Sequence, residues 1–152
     1  MFIRVKVLWF GFLLMFAHSV SANTTSYPSF SPHTQVMDGQ YAVVFFHFSE
    51  CIQCHHFSPT MMQFQKAIGL PVYDFSFDGK PIPGFQVPVP VTPDITNAFF
   101  GNIKNAVTPA TFLININTGK YVRMSEGNVT YQSLLSTYKK IRNDAPTMES
   151  MQ

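Results

Sequence analysis

The sequence predicts an α/β domain: a central mixed sheet flanked by helices. Three observations lead there. Residues 41–48, Tyr-Ala-Val-Val-Phe-Phe-His-Phe, form an apolar and aromatic run without alternation, the pattern of a strand covered on both faces. Directly after it, Phe57, Met61, Phe64 and Ile68 recur at spacings of four, three and four, which is one face of a helix beginning at Cys51. The whole chain then reads strand, helix, strand, helix, strand, strand, helix. The first two strands flank a helix and are expected to be parallel, the last two antiparallel, and one sheet with helices on both faces buries all of their apolar sides.

Before these elements lies a segment with a different character. Arg4 and Lys6 precede an apolar run from Val7 to Ala17, and Val20-Ser21-Ala22 places small or aliphatic residues after it. This order predicts a secretory signal peptide over residues 1–22, cleaved after Ala22. The run is shorter than the ~20 apolar residues a spanning helix needs, so no membrane anchor is expected to persist. Residues 23–40 carry Pro28, Pro32 and Gly39 and read as an irregular approach to the domain at 41–142.

Within the domain, Pro59 falls inside the first helix, where it removes a backbone donor, and Gly69 stops that helix. Val72–Phe77 reads as the second strand and Asp78-Gly79 as a turn. Residues 80–93 hold five prolines and are expected to form a rigid extended loop. Thr92 or Asp94 is placed to cap a helix reaching Lys104. Thr111–Ile116 and Lys120–Ser125, joined by Asn117-Thr118-Gly119, predict a hairpin. Thr130 is placed to cap a last helix carrying Leu134, Leu135, Tyr138 and Ile141. Residues 143–152 are expected to be a frayed polar tail.

Composition narrows the function. Loss of Arg4 and Lys6 with the signal segment lowers Lys and Arg from 10 to 8, equal to the 8 Asp and Glu. A near-neutral chain without a basic run offers no electrostatic reason to bind nucleic acid. Only two cysteines are present, Cys51 and Cys54. A bridge over two intervening residues constrains the unfolded chain little, so the pair suits chemistry better than stapling.

Its position says which chemistry. Cys51 stands where a buried strand gives way to a helix. Unpaired amides and the helix dipole at that N-terminus favour an anion, so they favour a thiolate over a thiol. The thiolate is the attacking species in disulfide exchange. Cys54, about one turn further in, is placed to attack a mixed disulfide at Cys51 and release the partner. Cys51 is therefore the expected nucleophile and Cys54 the resolving residue. Thr108-Pro109 precedes the third main strand, a site where proline is tolerated.

Phe48-Ser-Glu-Cys-Ile-Gln-Cys54, the helix proline Pro59 and Thr108-Pro109 at a strand start together resemble the thioredoxin superfamily. More narrowly, residues 73–79, the proline loop, Pro90-Val-Thr-Pro-Asp94 and Thr108-Pro-Ala-Thr-Phe-Leu-Ile-Asn115 are similar to the periplasmic disulfide isomerases of F-type conjugative transfer systems, over about residues 41–141. The resemblance implies a cis Pro109 beside the cysteines and a Thr108 backbone that pairs with extended substrate. It implies disulfide-bonded substrates from conjugative pilus assembly and a periplasmic redox partner. Large periplasmic isomerases use a separate dimerisation domain and residues 23–40 are too short to be one, so a monomer is expected, and no cofactor or metal is expected. Threonine before the proline resembles the isomerases more than the cytosolic thioredoxins.

Three departures stand beside the resemblance. Ile52-Gln53 matches none of the superfamily's common pairs, Glu50 replaces an aromatic, and Phe45 stands six before Cys51 where thioredoxins carry a buried acid. Glu50 should oppose a thiolate at Cys51, whereas protonated His55 and His56 would favour it, so the direction of exchange stays open. Other readings of the same residues are a chaperone that holds substrates without redox turnover, a c-type haem attached at Cys51-Ile-Gln-Cys-His55, and a metal held by Cys51, Cys54, His55 and His56, whose adjacent histidines diverge by about 100° on a helix. His47 reads as a packed strand histidine, and Met61 and Met62 as core filler.

Overall fold

The computed structural model describes residues 40–152 of the 152-residue chain. The expected signal peptide at 1–22 and nearly all of the approach segment at 23–40 lie outside the described residues. Five strands form one sheet in the order β3-β2-β1-β4-β5. They are β1 (Tyr41–His47), β2 (Val72–Ser76), β3 (Val89–Pro90), β4 (Ala110–Asn115) and β5 (Tyr121–Glu126). The helices are α1 (Ile52–Ile68), α2 (Pro93–Phe100), α3 (Tyr131–Asn143) and α4 (Ala145–Ser150).

The unbroken apolar run of β1 is explained by its place. It is the central strand, parallel to β2 on one side and antiparallel to β4 on the other, and all seven residues are buried. Alternate side chains enter opposite layers. Tyr41, Val43 and Phe45 pack with Cys54, Phe57, Met61 and Phe64 of α1 and with Leu134 and Ile141 of α3. Val44 and Phe46 face the other way, towards Phe99 and Phe100 of α2 and Phe112 of β4. Phe46 anchors that second layer, its ring lying within 5.0–5.8 Å of five other phenyl rings.

Local signals place the helix ends. Thr92 and Thr130 accept hydrogen bonds from the amides of Ile95 and Ser133 as N-caps of α2 and α3. Gly69 ends α1 in the left-handed region at φ 70°.

Four expectations need correction. The helix expected to reach Lys104 stops at Phe100, because Gly101 takes φ 70° and Asn102 caps a separate 3₁₀ turn at Ile103–Asn105. The proline loop is not wholly irregular, since Val89–Pro90 adds a short parallel edge strand to β2. An edge tolerates Pro90, which has no amide to donate. The tail is not frayed. Asp144 caps α4 through the Thr147 amide, and Met148 and Met151 are buried in the α1–α3 core layer. The two methionines of the segment both reach the core. Finally, Met62 is exposed rather than core filler and lies over the proline loop. Gly84 there has φ 87°, and a β-carbon on it would approach Met62 Sδ to 2.7 Å and Ser58 Oγ to 2.9 Å.

Candidate active site

β1 delivers the chain to one end of the sheet, and a tight turn at Phe48-Ser49-Glu50 redirects it into α1. The Cys51 amide closes that turn on the Phe48 carbonyl at 3.2 Å. A second device holds the turn from a distance. The Asp78 carboxylate accepts from the Ser49 hydroxyl at 2.5 Å and from the Ser49 amide at 3.2 Å to each oxygen. It also accepts from the Ser76 hydroxyl at 2.7 Å and the Lys80 amide at 3.4 Å. Desolvation would push this carboxyl up, but the donors on Ser49, Ser76 and Lys80 outweigh it and hold Asp78 far below its ordinary value.

Cys51 is the N-cap of α1, in extended conformation, and its sulfur accepts from the Cys54 amide at 3.1 Å. The sulfur therefore occupies the place an N-cap oxygen normally fills, where an anion is favoured. No acidic residue lies in the first turn of α1. Cys51 and Cys54 are joined as a disulfide with Cα atoms 5.1 Å apart. Their exposure differs as helix position predicts: Cys51 is partly exposed and Cys54 is 0% exposed. Ile52 between them is 69% exposed.

Pro109 approaches from β4. The Thr108–Pro109 bond is cis, and Pro109 is buried. The Thr108 hydroxyl lies 3.6 Å from Cys51 Sγ as a donor, and the Thr108 carbonyl lies 3.8 Å from the same sulfur. In the disulfide this sulfur carries no proton, so the carbonyl contact is van der Waals; the Cys51 thiol of the reduced form could donate there. The Pro109 carbonyl accepts from the Gly127 amide at 2.7 Å, which ties the segment to the end of β5.

The structure thus brings Cys51, Cys54, Thr108 and Pro109 together. It also brings in residues that sequence reading missed. Asp78 was read as part of a turn, with no local sign that it grips Ser49, 29 positions away. Asn128 donates to Gln53 Oε1 at 3.2 Å, linking the unusual middle residue of the pair to the loop before α3. His55 is turned back, with Nε2 2.6 Å from the Ser49 carbonyl. No group of three or more His, Cys, Asp or Glu side chains among the described residues is placed to hold a metal ion.

A five-stranded mixed sheet with helices on both faces, a Cys-x-x-Cys pair at the first helix N-terminus and a cis-proline against it define a thioredoxin fold, the fold of thiol–disulfide oxidoreductases. Solved structures agree on the fold. A thioredoxin-family thiol:disulfide interchange protein from Chlorobium tepidum TLS aligns with a TM-score of 0.50 at 20% identity, over 68% of this chain and 80% of that one. The exposed lipoprotein thioredoxin Etrx1 from Streptococcus pneumoniae strain TIGR4 aligns with a TM-score of 0.50 at 16% identity, over 68% and 86%.

The chain belongs to the family described as TraF, F plasmid transfer operon protein, whose profile matches residues 10–138. It is 37% identical over 93 residues to protein TrbB of Escherichia coli strain K12. That match covers 61% of this chain and 51% of TrbB, so the chain spans about half the length of this curated relative. Among the described residues no helix is long and apolar enough to cross a membrane.

Proposed function

We propose that the protein is an exported thiol–disulfide oxidoreductase that works in the periplasm as a monomeric disulfide isomerase on proteins of conjugative pilus assembly. Cys51 at the N-cap of α1, with Cys54 buried one turn below and Thr108-Pro109 against the sulfur, is the observation that carries the reading. Membership of the F plasmid transfer operon family supports the setting, and threonine before the cis-proline supports isomerisation over simple reduction.

In the dithiol form, the Cys51 thiolate attacks one sulfur of a substrate disulfide. The Cys51–substrate bond forms, the substrate bond breaks, and the other substrate sulfur leaves as a thiolate. Isomerisation follows when a different substrate thiolate attacks the mixed disulfide and regenerates Cys51. When no substrate thiol is placed to do so, Cys54 attacks Cys51, and the substrate leaves reduced while the protein holds the disulfide. A periplasmic reductant then restores the dithiol. The backbone at Thr108, beside the sulfur, is the edge along which an extended substrate segment aligns.

The test is refolding of a scrambled disulfide protein, run beside the equilibrium of the Cys51–Cys54 pair with glutathione. Recovery of native pairing that Cys51→Ser abolishes is expected. A strongly oxidising pair without isomerisation would overturn the isomerase assignment in favour of an oxidase. Substrate assembly in cells that persists with Cys51→Ser would overturn exchange in favour of holding. An exported protein whose N-terminus is Asn23 is the expected product of signal cleavage.

A further inference from the structure

We propose that His55 is a positioning residue for Cys51: its imidazole closes a ring over the nucleophile by donating to the Ser49 carbonyl, while Asp78 grips the same serine from the sheet. The proposal rests on the reading of Cys51 as the exchange nucleophile and says what holds that sulfur in place.

The residues on either side of Cys51 are not packed. Glu50 is exposed, and Ile52 is 69% exposed. Thr108 meets the sulfur but does not hold the backbone that carries it. That backbone is set by hydrogen bonds. The Cys51 amide donates to the Phe48 carbonyl at 3.2 Å, and the Cys51 carbonyl accepts from the Cys54 and His55 amides at 2.9 and 3.1 Å.

Ser49 is where the turn and the helix are joined. Its amide and hydroxyl donate to Asp78, and its carbonyl lies 2.6 Å from His55 Nε2. Every polar group of the serine is thus engaged. The two holders come from different elements. Asp78 follows β2 and is itself fixed by the Ser76 hydroxyl and the Lys80 amide, and the adjacent Phe77 amide donates to the His47 carbonyl at 3.0 Å. His55 belongs to the first turn of α1. Cys51 lies between the two ends of the imidazole tether, two residues after Ser49 and four before His55.

The contact fixes one proton of the ring. A carbonyl only accepts, so Nε2 carries a hydrogen, and a neutral His55 is the Nε2–H tautomer. Nε2–H donates equally when Nδ1 is also protonated, so the tether does not depend on charge. It matters most in the dithiol form. There the sulfur has lost its covalent anchor to Cys54, and the turn held at Ser49 keeps it over the Cys54 amide, 3.1 Å away in the disulfide. A nucleophile placed in advance saves the entropy of finding its attacking position.

The test is the reaction of the reduced full chain with oxidised glutathione at neutral pH, timed by mass spectrometry in a Cys54→Ser background. The Cys51 thiolate bonds to one glutathione sulfur, and the other glutathione leaves as a thiolate. His55→Ala is expected to slow this step about fivefold, the worth of one hydrogen bond. His55→Gln carries no charge but keeps an N–H donor at similar reach, and should restore the rate to within about twofold. An unchanged rate in His55→Ala, even if melting temperature falls, overturns the proposal. A His55→Gln variant as slow as His55→Ala also overturns it, because charge would then be the cause. Since His55 and Asp78 act through one serine, His55→Ala with Asp78→Asn should lose less than the product of the single losses. Independent losses overturn the shared grip. If Cys51 of the unsubstituted protein does not react with oxidised glutathione, the exchange reading falls instead. Imidazole nitrogen shifts of the unsubstituted protein then decide, as they do if a variant fails to fold. A proton on His55 Nε2 in both the disulfide and dithiol forms is expected, and a ring protonated on Nδ1 alone overturns the tether.

Discussion

Asp78→Asn tests how the turn before Cys51 is held. The carboxylate gathers the Ser49 hydroxyl at 2.5 Å, the Ser76 hydroxyl at 2.7 Å, the Ser49 amide and the Lys80 amide. Asparagine keeps one acceptor oxygen and replaces the other with a donor, so one hydroxyl loses its partner. A hydrogen bond to a charged group contributes about 1.5–3 kcal/mol. Because Asp78 is exposed, solvent screening reduces this to about 1 kcal/mol. The sign with pH follows from the lowered carboxyl. Its ordinary value is 3.8, and folding depresses it. The stabilisation is therefore complete above about pH 4 and is lost as the pH falls from there towards the folded-state value. Urea unfolding followed by far-ultraviolet circular dichroism should show the unsubstituted chain about 1 kcal/mol more stable than Asp78→Asn at pH 7, with the gap shrinking in strong acid. A gap that is absent at pH 7, or that stays constant into strong acid, would refute the reasoning.

Three further outcomes are expected. Phe46→Ala empties the centre of the aromatic layer between the sheet and α2 and should cost about 3–5 kcal/mol by urea unfolding; a loss under 1 kcal/mol would contradict the packing. Deleting residues 145–152 removes the buried Met148 and Met151 and should cost about 3 kcal/mol, whereas an unchanged midpoint would mean that the C-terminal helix does not dock. Thr108→Ala removes a hydroxyl that lies 3.6 Å from Cys51 Sγ as a donor, so alkylation of the reduced protein at neutral pH should slow about threefold. An unchanged alkylation rate would place that hydroxyl outside the chemistry.

The class of fold and the cysteine pair were legible because they rest on local patterns. A run without alternation marks a strand buried on both faces, and β1 is central. A threonine before an apolar helix face marks a cap, and Thr92 and Thr130 are caps. Cys51 stands at the strand-to-helix junction the pattern predicts, and the structure makes its sulfur the cap itself.

The misread elements failed for equally local reasons. Helical spacing continues past Phe100, but Gly101 and Asn102 end the helix. Two methionines in a polar tail give little periodicity, yet a core with room for them folds that tail into a helix.

What the sequence by itself determined is therefore the α/β class, the main strands and helices with caps at Thr92 and Thr130, and a Cys-x-x-Cys pair at a strand-to-helix junction. Only the tertiary structure decided what surrounds that pair. The grip of Asp78 on Ser49 spans 29 positions, Thr108 reaches Cys51 across 57, and Asn128 meets Gln53 across 75. His47 faces Asp74 because β1 and β2 pair in parallel in one register. Periodicity and capping act within a turn or two of the chain, whereas these partners meet only after the strand order and register of the sheet are set.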